Sequence, residues 1–342
     1  MIKVWSGLGL SIAMSLASVI VLPLAAQGQD ELTPIVFSLD FIPLGRHAAW
    51  YAALEEGYFE EEGLDVSIIP AQGTAQVMQA IASNTAQFGF VDLPGVVLAH
   101  AGGTDIKMVT VNYQKAPYAV FSLANGADVT EASGLEGLSL GSGAGSITPQ
   151  VIAGFMAQNG LDSSTLQIVN VAPPARASTL LSGQVPAIEF FVMARPGLEA
   201  GAADAGTELR TFLLADHGLE LYSNGIGATG DYLEQNPEIA EGFVRAALRG
   251  WEFTLANPDA AADHILSNVD GLDKAVVLAE IDVVRDLALT DDTLANGLGW
   301  FDPGKMAAGV DFVVEHIGIT GTAPMAEDIY ETRFLPDPPI VP

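Results

Sequence analysis

From Ile35 onward, short apolar runs alternate with amphipathic helical stretches, and this alternation leaves few folds open. "IVFSLDF" reads as a strand and "AAWYAALEEG" as a helix stopped by Gly57. "LDVSII", "AQFGFVD" and "IKMVTVNY" continue as strands, with "TAQVMQAIAS" and "PGVVLAHAGG" as the helices between them. Strands separated by helices at this spacing imply parallel βαβ units with right-handed crossovers, in a sheet covered on both faces. A second α/β set follows "APYAVFSLANGADVT". It contains "LEGLSL", the turn "GSGAGS", a helix from "PQVIAGFMAQNG" with Thr148 as its cap, and the strands "LQIVNV" and "VPAIEFF". Beyond "LYSNGIGAT" the pattern is mainly helical. The two sets connect near Tyr118–Leu123 and near Glu220–Gly227, which predicts two lobes hinged over a cleft. Residues just after the strands then face the ligand space.

Composition narrows the function. The 342 residues carry 13 Lys+Arg against 42 Asp+Glu, a formal charge of −29. Such a field repels nucleic acid and anionic membranes, which need a basic footprint. The segment 1–28 has Lys3, an apolar run from Leu8 to Leu22, Pro23 and the small residues Ala25 and Ala26. It reads as a signal peptide cleaved near Ala26 to Gly28. Cysteine is absent, so disulfides, thiolate metal sites, a cysteine nucleophile and a lipid-anchored start after cleavage are not expected. The expected product is exported, not lipid-anchored, and monomeric.

Arg46 and His47 follow the first strand, where a guanidinium can clamp an acid group, or the pair can simply pack. Trp50, Tyr51 and Leu54 have helical spacing and read as core. The glutamates 55, 56 and 60–62 read as a solvated face. With cations so scarce, Arg46, Lys115, Arg176 and Arg195 in connecting loops are informative: two of them in one pocket would offset the acidic field. Helix starts at Gln72–Gln76 and Gly141–Pro149 offer free N–H groups. "GLSLG" matches a nucleophile-elbow pattern, but Ser139 lies within a strand, so the match is fortuitous. The five histidines lack metal-site spacing, and no metal or cofactor is expected. Asp92 ends the third strand and suits either a ligand contact or a helix cap, with the cap favoured.

These stretches resemble the nitrate/taurine-type ABC-transporter substrate-binding proteins, a group overlapping the thiamine-pyrimidine synthase-like family. The resemblance rests on "LDFIPLGRHAAWYAALEEGYFEEEGLDVSI", "TAQFGFVD", "LEGLSLGSGAGS" and "NPEIAEGFVRAALRGWEFTLANPDAA", and spans about Ile35 to Leu335. It implies a type II periplasmic binding protein fold: two α/β lobes with parallel or mixed sheets joined by a two-strand hinge. The lobes would be residues 30–121 with 223–342, and residues 122–222. It also implies a small-molecule ligand delivered to a permease and ATPase complex, and no catalytic residues. By position, the implied lining is Phe41, Arg46, His47, Gly73, Thr74 and Asp92 from the first lobe. Ser142, Gly143, Phe190 and Phe191 come from the second, with Asn224 near the hinge, and Arg195 is added as the alternative to Arg46 for holding an acid group. "LDFIPLG" places Phe41 where pyrimidine binders of the family have tryptophan, and Leu44 where they have asparagine. An aromatic or apolar ligand, with or without an acid group, is therefore expected ahead of a thiamine pyrimidine precursor. Pyrimidine synthases of this fold use a lysine, a histidine four residues later and a cysteine-rich motif. Val91 and Gly95 stand at those two positions, so that chemistry is not expected.

Overall fold

A computed structural model describes residues 1–5 and 31–342, and the compact unit is Leu32–Pro342. The expected signal segment falls mostly outside the described residues. No helix among those described is long and apolar enough to cross a membrane.

Among the described residues, ten strands form two five-stranded sheets. The first holds β1 (Thr33–Ser38), β2 (Leu64–Ile69), β3 (Phe88–Asp92), β4 (Ile106–Met108) and β10 (Asn224–Thr229), in the order β2-β1-β3-β10-β4. The second holds β5 (Tyr118–Leu123), β6 (Ser139–Ser142), β7 (Gln167–Asn170), β8 (Ala187–Phe191) and β9 (Leu209–Leu213), in the order β7-β6-β8-β5-β9. In each sheet one strand arrives directly from the other lobe. That strand is β10 in the first sheet and β5 in the second, and both lie antiparallel to their neighbours. The remaining pairs, β1 with β2 and β3, and β6 with β7 and β8, are parallel. An arriving strand starts at the cleft and runs away from it, whereas β1, β3, β6 and β8 run toward it. Both lobes thus aim strand carboxyl ends at one seam.

Sequence boundaries shift in places. β5 lies whole in the second sheet, so the first crossing precedes Tyr118 rather than following residue 121. "IKMVTVNY" pairs as a strand only over Ile106–Met108. Thr148 is the first residue of its helix, Thr148–Gln158, and not its cap; the Ser146 hydroxyl accepts its N–H at 3.3 Å.

The first lobe is fastened by rings. Trp50, fully buried on the helix Ala48–Glu55, packs on Phe37 at 4.8 Å, Phe90 at 5.0 Å and Trp251 at 5.6 Å. Truncating a tryptophan in such a setting costs about 3–5 kcal/mol. The helix Pro237–Ala256 approaches so closely that a Cβ on Gly250 would stand 2.4 Å from the Ala49 carbonyl oxygen. Its arginines also claim glutamates read above as solvated: Arg249 pairs with Glu61 at 2.6 Å and Arg245 with Glu62 at 2.7 Å.

Candidate functional site: a cleft with two buried ion pairs

A narrow cleft with a free volume of about 40 Å³ lies in the seam. The first lobe lines it with Phe41 and Arg46 from the loop after β1, and with Gly73 and Thr74 after β2. The second lobe contributes Glu189, Phe190 and Phe191 from β8, and Arg176.

Asp40 organises the first wall. Both its oxygens accept from Arg46 Nη2, at 3.0 and 2.9 Å, and Asn224 donates to Oδ2 at 3.1 Å. His47 Nε2 lies 2.9 Å from Oδ1, while its Nδ1 accepts the Leu44 N–H at 3.0 Å. These contacts assign a neutral imidazole that donates through Nε2. Burial, and then the Arg46 charge, push its pKa down to about 4. Burial opposes ionisation of Asp40, but Arg46 and His47 outweigh it and hold the carboxyl below its usual range.

Asp92 caps the helix Leu93–Ala101, accepting the Gly95 N–H at 2.8 Å, and also takes the Thr74 hydroxyl. Burial raises its pKa to about 6, against the lowering effect of those two hydrogen bonds.

Glu189 organises the opposite wall. Its Oε1 accepts from Ser142 at 2.7 Å, Ser146 at 3.0 Å and Arg176 Nη1 at 2.8 Å. The Arg176 guanidinium lies 4.9 Å from the Phe190 ring centre and 5.6 Å from that of Phe41. Phe41 and Phe190, one ring from each lobe, meet edge to face at 5.8 Å. Nearby, the Ala75 N–H donates across the seam to the Gly145 carbonyl at 3.1 Å. Gly73 allows that approach with φ +143°, a backbone region open almost only to glycine.

Of the expected lining residues, Phe41, Arg46, Gly73, Thr74, Phe190 and Phe191 face the cleft. His47, Asp92, Ser142 and Asn224 lie one layer behind, each bonded to a side chain that does. Gly143 sits against the Arg176 guanidinium, 2.8 Å from Nη2 to where a Cβ would stand. Arg195 is not brought to the cleft. It begins the helix Arg195–Asp204, its side chain is half exposed, and its nearest carboxylate is Glu199 at 3.8 Å. Arg46 does face the cleft, but Asp40 already occupies its charge. Sequence reasoning missed Asp40 and Glu189 as wall residues. The scarcity of cations did flag Arg176, and Arg46 and Arg176 do share one cleft. Among the described residues, no His, Asp and Glu cluster could hold a metal ion.

Two α/β lobes with a cleft at the strand ends define the periplasmic binding protein fold. Residues 45–261, more than half of the chain, match the model described as NMT1/THI5 like, and the chain belongs to that family. It is 25% identical to a riboflavin-binding protein, RibY, of Chloroflexus aurantiacus, over 91% of this chain and 89% of that one. Identity is 27% with a formylaminopyrimidine-binding protein of Halalkalibacterium halodurans, over 72% and 73%. It is 21% with a 4-amino-5-hydroxymethyl-2-methylpyrimidine phosphate synthase of Legionella pneumophila, over 86% and 89%. The alkanesulfonate-binding protein SsuA of Xanthomonas axonopodis pv. citri shares the fold with TM-score 0.68 at 13% identity, over 88% of this chain and 99% of that one.

Proposed function

We propose that this protein is the exported solute-binding component of an ABC importer, closing its lobes around a planar ring compound and presenting it to a permease. The observation that carries this reading is the meeting of Phe41 and Phe190 over Arg176. Parting the lobes would open a slot walled by the face of one ring and the edge of the other, where a flat ring gains aromatic contact and displaces water. The names of two relatives support it, since one binds riboflavin and the other a formylaminopyrimidine. An enzymatic role has less support, despite the synthase relative. Val91 and Gly95 stand where the synthases have lysine and histidine, and among the described residues no lysine lines the cleft.

A thermal-shift screen of the chain from Gln29 tests this reading. Riboflavin, formylaminopyrimidine, aromatic carboxylates, alkanesulfonates and nitrate would each be supplied at about a hundred times a micromolar Kd. There one-site linkage gives about 2.7 kcal/mol of stabilisation. Ring compounds are expected to raise Tm and nitrate to leave it unchanged. A response to sulfonates or nitrate alone would sink the ring-ligand reading.

A further inference from the structure

We infer that Arg176 orients the ligand, its Nε–Nη2 edge receiving two adjacent in-plane acceptors on a neutral heterocycle. This rests on the ring-ligand reading above. Arg176 is 1% exposed, yet only Nη1 is used, donating to the Glu189 side chain at 2.8 Å and to its carbonyl at 3.1 Å. Nε and Nη2 are buried with no partner. Together they form the planar fork that matches paired acceptors. Buried donors on a charged group are costly when unmet and uncommon in native proteins, so an unmet fork beside a cleft points to an acceptor supplied from outside. Two features keep it free. Gly143 leaves room that any Cβ would fill, and the covering rings include Phe41, which belongs to the other lobe and leaves as the lobes part.

Charge selects the partner. Asp40, Arg46, Glu189 and Arg176 form two ion pairs whose charges cancel. A carboxylate would add an uncompensated buried negative charge to a chain of net −29. A ring nitrogen beside a carbonyl oxygen offers two acceptors without charge, as the guanine edge does to arginine in DNA recognition. Arg46 is less suited, because its Nη2 is held by Asp40 and its backbone N–H by Glu280.

The test is calorimetric titration of wild type and Arg176→Lys with riboflavin and with its 1-deaza and 5-deaza analogues, each lacking one ring nitrogen beside a carbonyl. Lysine keeps the charge beside Glu189 and removes the fork. Wild type is expected to bind at least one analogue about 10-fold or more weakly than riboflavin, one good bidentate pair being worth that much. Arg176→Lys should weaken riboflavin by a similar factor and nearly abolish its preference over that analogue. Equal riboflavin affinity in the variant, or uniform weakening with the preference intact, overturns the inference, the latter leaving Arg176 as mere support for Glu189. Wild type that binds other rings but not riboflavin overturns the two-acceptor class. Wild type that binds no ring compound overturns the underlying reading and this inference with it.

Discussion

Asp40→Ala is expected to destabilise the protein by about 3–5 kcal/mol, the usual consequence of removing one partner from a buried ion pair. The substitution strands three groups at once. Arg46, 5% exposed, loses its counter-ion, and His47 and Asn224 lose the acceptor for their N–H groups. Arg46 cannot shed its proton to escape, so the penalty falls on the folded state. Urea unfolding should show a lower midpoint at unchanged slope, which separates lost stability from altered compactness. Asp40→Asn keeps the shape and one acceptor oxygen, and should fall between the two. The pH dependence has a definite sign. The folded-state pKa of Asp40 is depressed, so its stabilisation is present above the unfolded value of 3.8 and is lost as pH falls through the lower folded value. The difference between wild type and Asp40→Ala should therefore stay flat from about pH 5 to 8 as far as Asp40 is concerned. A loss below about 1 kcal/mol would mean that water enters the wall and solvates Arg46.

The two-lobed architecture was legible because local period carries it. Apolar runs such as "IVFSLDF" and "AQFGFVD" report buried strands whatever happens elsewhere in the chain. The direction of β5 and β10 was not legible, since a strand's orientation depends on which lobe the chain has just left. The candidate cleft was legible in outline for a related reason. Loops after strands could be located, so Phe41, Gly73 and Thr74 could be placed near the seam. The wall networks could not, because their bonds join distant segments: Asp40 with Asn224, Ser142 with Glu189. Alternation did place Glu189 in a strand; it could not say that this strand ends at the cleft with its carboxylate already met by two hydroxyls and an arginine. Arg195 failed differently. It stands beside Ala194, which does line the cleft, but at the start of a helix that carries its side chain toward Glu199.

The networks also explain how the cleft could be held ready without a ligand's help. The short turn Gly45–His47 presents Arg46, and the helix Lys274–Ala288 clamps that turn from behind. A Cβ on Gly45 would stand 2.7 Å from the Val277 Cα. The same helix packs on residues 192–194 of the second lobe, so one element braces both walls.

Glu280 on that helix supplies the last expected result: Glu280→Gln should stabilise the protein at pH 8 by about 3 kcal/mol. The side chain is 5% exposed and accepts the Arg46 backbone N–H at 3.1 Å. Burial drives its pKa up to about 7, more than the hydrogen bonds from the turn and the Arg46 charge can offset. A carboxyl with a raised folded pKa favours folding fully below its unfolded value of 4.5, and that advantage drains away as pH rises to about 7. Between those values wild type should lose about 1.4 kcal/mol per pH unit on account of this group. Glutamine keeps an acceptor oxygen for the Arg46 N–H and never ionises, so it escapes the loss. Urea midpoints of wild type and Glu280→Gln should therefore nearly coincide at pH 4.5 and separate progressively up to pH 7, with the variant ahead. Comparing the two proteins at each pH cancels the titration of Asp92 and the other carboxylates they share. A gap that does not change with pH, or a variant less stable than wild type at pH 8, would show that the carboxylate's bonds to the turn outweigh its desolvation.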